Sequence, residues 1–365
     1  MKETLETRAD SAHGRRFTAG LLHWNATAND RPMPWKGETD PYRIWLSEII
    51  LQQTRVEQGW GYYERFVAAF PTVQELAAAP EQSVFKLWEG LGYYSRCRNL
   101  IATARIITEQ YGGVFPQQYD DILALKGVGP YTAAAIASFA YNAPYAVLDG
   151  NVFRVLSRIF GCALPIDSTE GRKFFAQAAQ ELLPVGEARA YNQALMDFGA
   201  TVCKPLPACA ACFFQHDCAA FRHGRQGELP VKAKKTAVRE RFFQYVLLQH
   251  ENTLALHPRG PGDVWESLWE PLLFEAGRER DKEAILRALN EEYGIRKEDY
   301  TIESAAAKGR QRLSHQLIHF NFLHLGLARR LELPGFDWVP LDKIDDYPFP
   351  KTVGAWLKAT FAGFG

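Results

Sequence analysis

The sequence predicts a multidomain protein, an all-helical module followed by a smaller α+β module, and three observations carry that expectation. The chain has 365 residues, enough for roughly two domains of about 150 residues with cores of ordinary size. Over the first two-thirds, apolar residues recur at three- and four-residue spacing, the period of helices buried on one face. After Phe221 that pattern gives way to a polar, basic stretch and then to short β-like runs.

The elements follow in order. RRFTAGLLHWNATA (15–28) reads as one helix, and PYRIWLSEIILQQTRVEQGWGYYERFVAAF (41–70) as one long helix with Asp40 as its N-cap, Pro41 at its first position and Pro71 as its stop. Further helices are predicted at about 81–89, 93–111, 117–125, 131–141, 151–160, 168–183 and 187–200, so residues 1–221 form an all-α domain. Residues 222–241 read as a basic linker, with seven basic side chains against Glu228 and Glu240. Beyond it, FFQYVLLQHE (242–251), TLALHPR (253–259) and HFNFLHLGLA (319–328) read as strands around one helix, DKEAILRALNEEYG (281–294). Residues 242–365 are therefore the smaller α+β domain.

Composition bounds the function. Hydrophobic residues at 47% and charged residues at 23% exclude a disordered or fibrous chain. Forty-two basic groups cancel forty-two acidic ones, which taken alone argues against an anionic partner. The distribution reverses that argument, because local surpluses fall at Arg96, Arg98 and Arg105, in the linker, and at Lys308, Arg310 and Arg312. The first residues carry Glu3, Glu6 and Asp10 and no apolar run, so neither a secretory signal nor a transit peptide is expected. The longest apolar stretch, Tyr131 to Leu148, is interrupted by Asn142 and Pro144 and is too polar to span a membrane. An intracellular, reducing setting follows, where six cysteines are not a disulfide framework.

Three constellations could carry chemistry. Cys203, Cys209, Cys212 and Cys218, separated by five, two and five residues, can surround one compact centre, either a four-iron four-sulfur cluster or tetrahedral zinc. Spacing does not choose between them, although the presence of a single close Cys pair favours the cluster. Cys97 and Cys162 read as core residues. In LKGVGPYTAAAIASFA (125–140), two glycines make a tight hairpin between helices, within a helix-hairpin-helix unit at 117–141. Its backbone N–H groups and helix dipole suit a phosphate and would grip a nucleic-acid backbone without reading sequence. The third constellation is a pair of carboxylates. Glu48, in WLSEIIL, is expected to be held protonated by burial and able to act as a general acid. Asp149, in AVLDGNVFRVL, caps a helix whose dipole favours its charged form. One neutral and one charged acid is the division of labour that glycosidic cleavage requires.

LSEIILQQTRV (46–56), GLGYYSRCRNL (90–100), LKGVGPYTAAAI (125–136), AVLDGNVFRVLSR (146–158) and NQALMDFGATVC (192–203), followed by the cysteines, resemble in order the adenine-specific mismatch DNA glycosylases of the MutY type, in the helix-hairpin-helix superfamily. The resemblance implies that Glu48 protonates a flipped adenine and Asp149 stabilises the cationic sugar, with Tyr131 and Asn151 lining the pocket. It places Gln53, Thr54, Leu91, Tyr93, Lys126, Gly127 and Gly129 against DNA, Gln53 and Tyr93 pressing into the base stack. It implies one 4Fe-4S cluster on Cys203, Cys209, Cys212 and Cys218, with the cluster loop spanning 203–218. A related branch, the endonuclease III-type lyases acting on damaged pyrimidines, carries a Schiff-base lysine where Tyr131 stands, so a monofunctional glycosylase is expected.

The C-terminal part resembles the Nudix-like domain that these enzymes use to find 8-oxoguanine, and Ser314 and His315 match its short Ser/Thr-His motif. RALNEEYGI (287–295) echoes a Nudix box, but Ala288 replaces a metal-binding glutamate and Leu273 the leading glycine. A lesion reader is therefore expected, not a pyrophosphatase. Three positions depart from the family pattern: the five-residue first cysteine gap, Lys36 after PW, and Leu313 before Ser-His. The partner implied is double-stranded DNA carrying adenine opposite 8-oxoguanine or guanine, bound by a monomer with no membrane association, in the cytoplasm and nucleoid of a bacterium.

Overall fold

In the computed structural model, residues 12–233 and 238–361 are described, with the side chains of 305–307 excepted. The acidic start at Glu3, Glu6 and Asp10 and the linker lysines Lys234 and Lys235 lie outside the described residues. Two compact units separate among them: 12–78 with 99–233, and 79–98 with 238–361.

The first unit is helical. Its elements are α1 (Ala12–Thr27), α2 (Pro41–Leu51), α3 (Val56–Ala69) and α4 (Val73–Ala78); α5 (Glu81–Trp88) belongs to the other unit, and α6 (Ser95–Gln110) passes from one to the other. There follow α7 (Tyr119–Ala124), α8 (Pro130–Tyr141), α9 (Gly150–Phe160), α10 (Thr169–Glu181), α11 (Ala188–Thr201) and the short α12 (Ala219–Arg222). Asp40 caps α2 as expected, its Oδ1 accepting from the Tyr42 N–H at 2.9 Å with Pro41 in the first turn. Tyr42, Ile44, Trp45, Leu46, Ile49 and Ile50 are all buried, so α2 is apolar nearly all round and lies inside the unit against α3 and α8. Each such side chain contributes about 1.5–3 kcal/mol, so packing and not helix propensity fixes α2.

The single helix expected over 41–70 is two. α2 ends at Leu51, Gln53 takes a left-handed conformation (φ 58°), and the Thr54 N–H closes a turn on the Leu51 carbonyl at 3.0 Å. Neither glycine nor proline marks the break, which is why the apolar period runs straight through it. The part of the expected linker before residue 234 is also not a free tether. Leu229 is buried, its carbonyl accepts from Arg158 at 3.1 Å, and the Val231 carbonyl accepts from the Ile166 N–H at 3.0 Å.

The second unit is built on a mixed sheet of β1 (Arg239–His250), β2 (Thr253–Pro258), β3 (Trp269–Glu270), β4 (Leu272–Ala276), β5 (Tyr300–Arg312), β6 (Gln316–Leu327) and β7 (Asp337–Pro340), with α13 (Lys282–Tyr293) and α14 (Lys351–Thr360). The strand order is β3-β2-β1-β6-β5, with β4 beside β1 and β7 beside β2; β1 and β6 run parallel, and the other pairs are antiparallel. Strand alternation divides the faces. Val246, Leu248, Leu323 and Leu325 pack with Ile285 and Leu289 of α13, and Ala288 fills this core where a Nudix box would place a glutamate. On the other face Tyr245, Phe320 and Phe322 stack, and Trp356 of α14 lies 4.4 Å from the Phe322 ring. β1 begins three residues before the expected 242, and the short α14, behind Pro350, escapes the periodicity of the sequence.

Candidate functional site

A cavity of about 1200 Å³ in the helical unit collects residues from distant parts of the chain: Glu48 from α2, Gln53 and Thr54 from the break after it, Tyr131 from α8, and Asp149 and Asn151 at the start of α9. Glu48 is 6% exposed. Burial, together with the nearby charge of Asp149, pushes its carboxyl up to about 7 against the lowering effect of the Tyr131 hydroxyl bound to it. The phenol of Tyr131 is in turn held well above its usual range, first by burial and then by the two carboxylates.

Asp149 caps α9. Its Oδ1 accepts from the Val152 N–H at 2.7 Å, and its Oδ2 accepts from the Asn151 side-chain amide at 2.7 Å. The expectation that the helix terminus lowers its pKa is corrected. Burial is the largest effect and raises the carboxyl, while the Val152 and Asn151 donors oppose it. The two acids differ in their partners: a single phenol on Glu48, several N–H donors on Asp149.

Sequence reasoning missed the residue behind Asn151. The Arg154 guanidinium donates to Asn151 Oδ1 at 2.8 Å, to the Gly199 carbonyl at 2.7 Å and to the Cys203 carbonyl at 2.8 Å. It ties the cap of α9 to the end of α11 and the cysteine loop. Gly199 is required for this approach, because a Cβ there would lie 2.6 Å from Asn151 Cβ. One turn on, the buried Arg158 donates to the carbonyls of Lys204 at 2.6 Å and Pro205 at 2.9 Å. Basic residues at 154 and 158, one turn apart on α9, were the signal available.

Cys203, Cys209, Cys212 and Cys218 line one small cavity beside α9. Burial raises the thiols of Cys203, Cys218 and Cys212, the last to about 11, and Arg158 Nη1 lies 3.5 Å from Cys203 Sγ. Among the described residues no three His, Cys, Asp or Glu side chains are drawn together closely enough to hold a single metal ion. The donor set nonetheless fits a thiolate-held centre: four free cysteines on one cavity, with a guanidinium to offset thiolate charge.

The hairpin before α8 has the expected turn. Gly127 takes φ +79°, closed to an ordinary residue both by conformation and by Asn99, whose Cβ would lie 2.6 Å from an added Cβ. Thr103 Oγ1 donates to the Lys126 carbonyl at 2.7 Å, while the Lys126 side chain and Gly127 are exposed and Gly129 caps α8. The first N–H groups of α8 have no helical partner and face the hairpin.

In the second unit Tyr93 is 41% exposed, takes φ 49°, and its hydroxyl meets Ser314 Oγ. Ser314 and His315, both exposed, lie on the β5–β6 turn. Leu91, expected against DNA, is instead buried; the loop folds its side chain inward. Three of the expected basic side chains are also already engaged. Arg96 is buried beneath the rings of Trp88 and Tyr93, Arg98 pairs with Glu266 at 3.1 Å, and Lys308 pairs with Glu279 at 2.5 Å. Arg310 and Arg312 remain exposed on β5.

Among the described residues no helix is long and apolar enough to cross a membrane. Residues 46–181 match the HhH-GPD superfamily of base excision DNA repair proteins, and residues 244–359 match the NUDIX domain. An adenine DNA glycosylase of Buchnera aphidicola subsp. Baizongia pistaciae is 34% identical over 255 residues, 69% of this chain and 72% of that one. The mouse adenine DNA glycosylase is 38% identical over 231 residues, 60% of this chain and 45% of that one. Among solved structures, a thermostable thymine-DNA glycosylase superposes with a TM-score of 0.55 at 30% identity, covering 59% of this chain and 99% of that one. A trapped endonuclease III–DNA complex, at TM-score 0.50 and 20% identity over 57% of this chain and 98% of that one, shares the fold. With the two domains in this order and the Buchnera relative, 34% identical, matched over 72% of its length, the chain belongs to the adenine DNA glycosylase family.

Proposed function

We propose that this protein excises adenine paired with 8-oxoguanine or guanine in duplex DNA and leaves an abasic site, as a monomer acting at the nucleoid. One observation carries the reading: Glu48, buried with the Tyr131 hydroxyl on it and raised to about 7, shares a cavity with an Asp149 held by N–H donors. Glu48 gives its proton to the flipped adenine, the N-glycosidic bond breaks with its electrons going to the base, and adenine leaves neutral. Asp149 stabilises the oxocarbenium-like sugar until water adds. Gln53 and Tyr93, each with a left-handed backbone costing roughly 1–2 kcal/mol, serve as the side chains pressed into the stack around the extruded base. Thr54, Lys126, Gly127 and Gly129 contact the backbone; Ser314 and His315 meet the lesion.

Cys203, Cys209, Cys212 and Cys218 would hold a 4Fe-4S cluster, which when bound supplies a rigid framework for the loop that Arg154 and Arg158 fasten to α9. Residues 242–365 act as the lesion reader, joined through 222–241 to the catalytic residues 1–221.

The alternative, a lyase, needs an amine at the sugar. Tyr131 offers a phenol, and the ammonium of Lys36, also lining the cavity, is bound to the Arg31 carbonyl at 3.1 Å. Incubation with a duplex carrying adenine opposite 8-oxoguanine should release free adenine and leave strands that break only on alkali treatment. Spontaneous nicking with a borohydride-trapped adduct would overturn the monofunctional reading, and absence of adenine release would overturn the substrate.

A further inference from the structure

The segment 79–98 carries Tyr93, and its fastening to the C-terminal unit is built at both ends. At the α5 end, the Gln82 side-chain amide donates to the Asp346 carbonyl at 2.9 Å, Lys86 Nζ donates to the Tyr347 carbonyl at 3.1 Å, and the Phe349 N–H donates to Glu89 Oε1 at 3.2 Å. At the α6 end, Arg98 makes a two-point contact with one residue: its Nη1 donates to the Glu266 carbonyl at 2.7 Å, and its Nη2 lies 3.1 Å from Glu266 Oε2. Between these ends the loop is internally braced. The Gly92 carbonyl accepts from Trp88 Nε1 at 3.1 Å and from Arg96 Nη2 at 3.2 Å, and the Arg96 guanidinium lies 5.6 Å from the Tyr93 ring centre.

Glu266 is itself held. The Gly262 N–H donates to its Oε2 at 3.0 Å, and the loop around it is anchored by Asp263, clamped between Arg241 and Arg259 at 2.5 and 2.6 Å. An exposed tyrosine in a strained conformation needs such bracing if it is to meet DNA without first reorganising.

We propose that the Arg98–Glu266 contact is a positioning device for lesion specificity: it sets Tyr93 against Ser314 so that the stacking side chain and the lesion-reading turn engage 8-oxoguanine together. This rests on the stacking role given to Tyr93 above. Arg98 and Glu266 are engaged with each other and do not line the cavity that holds Glu48 and Asp149, so their loss should leave the intrinsic step on guanine:adenine pairs near its original rate and lower the preference for 8-oxoguanine.

The full-length protein, as Arg98→Gln, Glu266→Gln and the exchange Arg98→Glu with Glu266→Arg, is compared with wild type in single-turnover adenine release from 8-oxoguanine:adenine and guanine:adenine duplexes. The fluorescence of 2-aminopurine placed beside the lesion reports stacking on binding. Each single variant should reduce the 8-oxoguanine preference about five- to tenfold and blunt the 2-aminopurine change, and the exchange should restore at least half of both. Unchanged preference in the single variants, or a loss that the exchange leaves in place, overturns the proposal. Tyr93→Ala separates it from the reading beneath it. A Tyr93 effect with silent Arg98 and Glu266 variants sinks the positioning device alone, whereas a silent Tyr93→Ala sinks the stacking role and the device with it.

Discussion

Glu48 in the helical unit and Glu270 in the sheet unit are close to a matched pair. They are 6% and 2% exposed, and each accepts a hydrogen bond from a tyrosine, the half-buried Tyr131 for Glu48 and the buried Tyr245, at 2.8 Å, for Glu270. Burial raises both carboxyls. The difference is a cation: Arg259 Nη1 lies 2.8 Å from Glu270 Oε1 and pulls that carboxyl back down, whereas the groups acting on Glu48 are a phenol and the like charge of Asp149. A buried acid given an arginine is a structural tie; a buried acid given only a phenol keeps its proton near neutrality and can donate it.

Removing the cation should do the most damage. Arg259→Met leaves Glu270 buried with the Tyr245 hydroxyl bound to it and His257 Nε2 4.0 Å away, but without its guanidinium, and should cost the sheet unit roughly 3–5 kcal/mol, read as an early unfolding transition in calorimetry. Adding Glu270→Gln should recover part of that loss, because the uncompensated charge is gone. No recovery would mean that packing and not charge sets the cost.

The acid without a cation predicts the opposite sign. Folded Glu48 keeps its proton up to about 7, while the unfolded residue releases it near 4.3, so the folded state binds the extra proton and stability falls as pH rises between those values. Above about 7 the penalty is complete, on the order of 3–4 kcal/mol. Glu48→Gln should therefore raise thermal stability at pH 8 and change it little at pH 4, while abolishing adenine release. Equal effects at both pH values would show that Glu48 is not held protonated.

Asp149 stands between the two cases: the charge of Arg154 lowers its carboxyl, but the hydrogen-bonded link between them runs through Asn151. Arg154→Met should lower the single-turnover rate roughly tenfold, about 1.4 kcal/mol, with DNA affinity unchanged. A rate equal to wild type would mean that Asn151 needs no support.

The Glu48 and Asp149 side of this contrast is legible in the sequence, for physical reasons; the tie between Glu270 and Arg259 is not. Glu48 inside WLSEIIL has only Ser47 as a polar neighbour, which points to burial, and Asp149 before GNVF points to a cap. The four cysteines and the glycines of the hairpin are legible because their chemistry depends on local spacing. What the sequence hid depends on distant contacts. The left-handed turn at Gln53 leaves the apolar period unbroken. The inward turn of Leu91, the burial of Arg96 and the capture of Arg98 by Glu266 are set by residues up to 168 positions away, so basic side chains that look available to DNA are already engaged. Arg154 and Arg158 look like surface charge until the cysteine loop folds over α9.

The central claim, that Glu48 supplies the proton, is tested most directly by the pH profile of single-turnover adenine release from an 8-oxoguanine:adenine duplex. The account predicts a plateau at low pH, a tenfold fall per unit above a midpoint near 7, and no such limb in the residual rate of Glu48→Gln. A wild-type profile flat from pH 5 to 9, or a Glu48→Gln rate close to wild type, would contradict it.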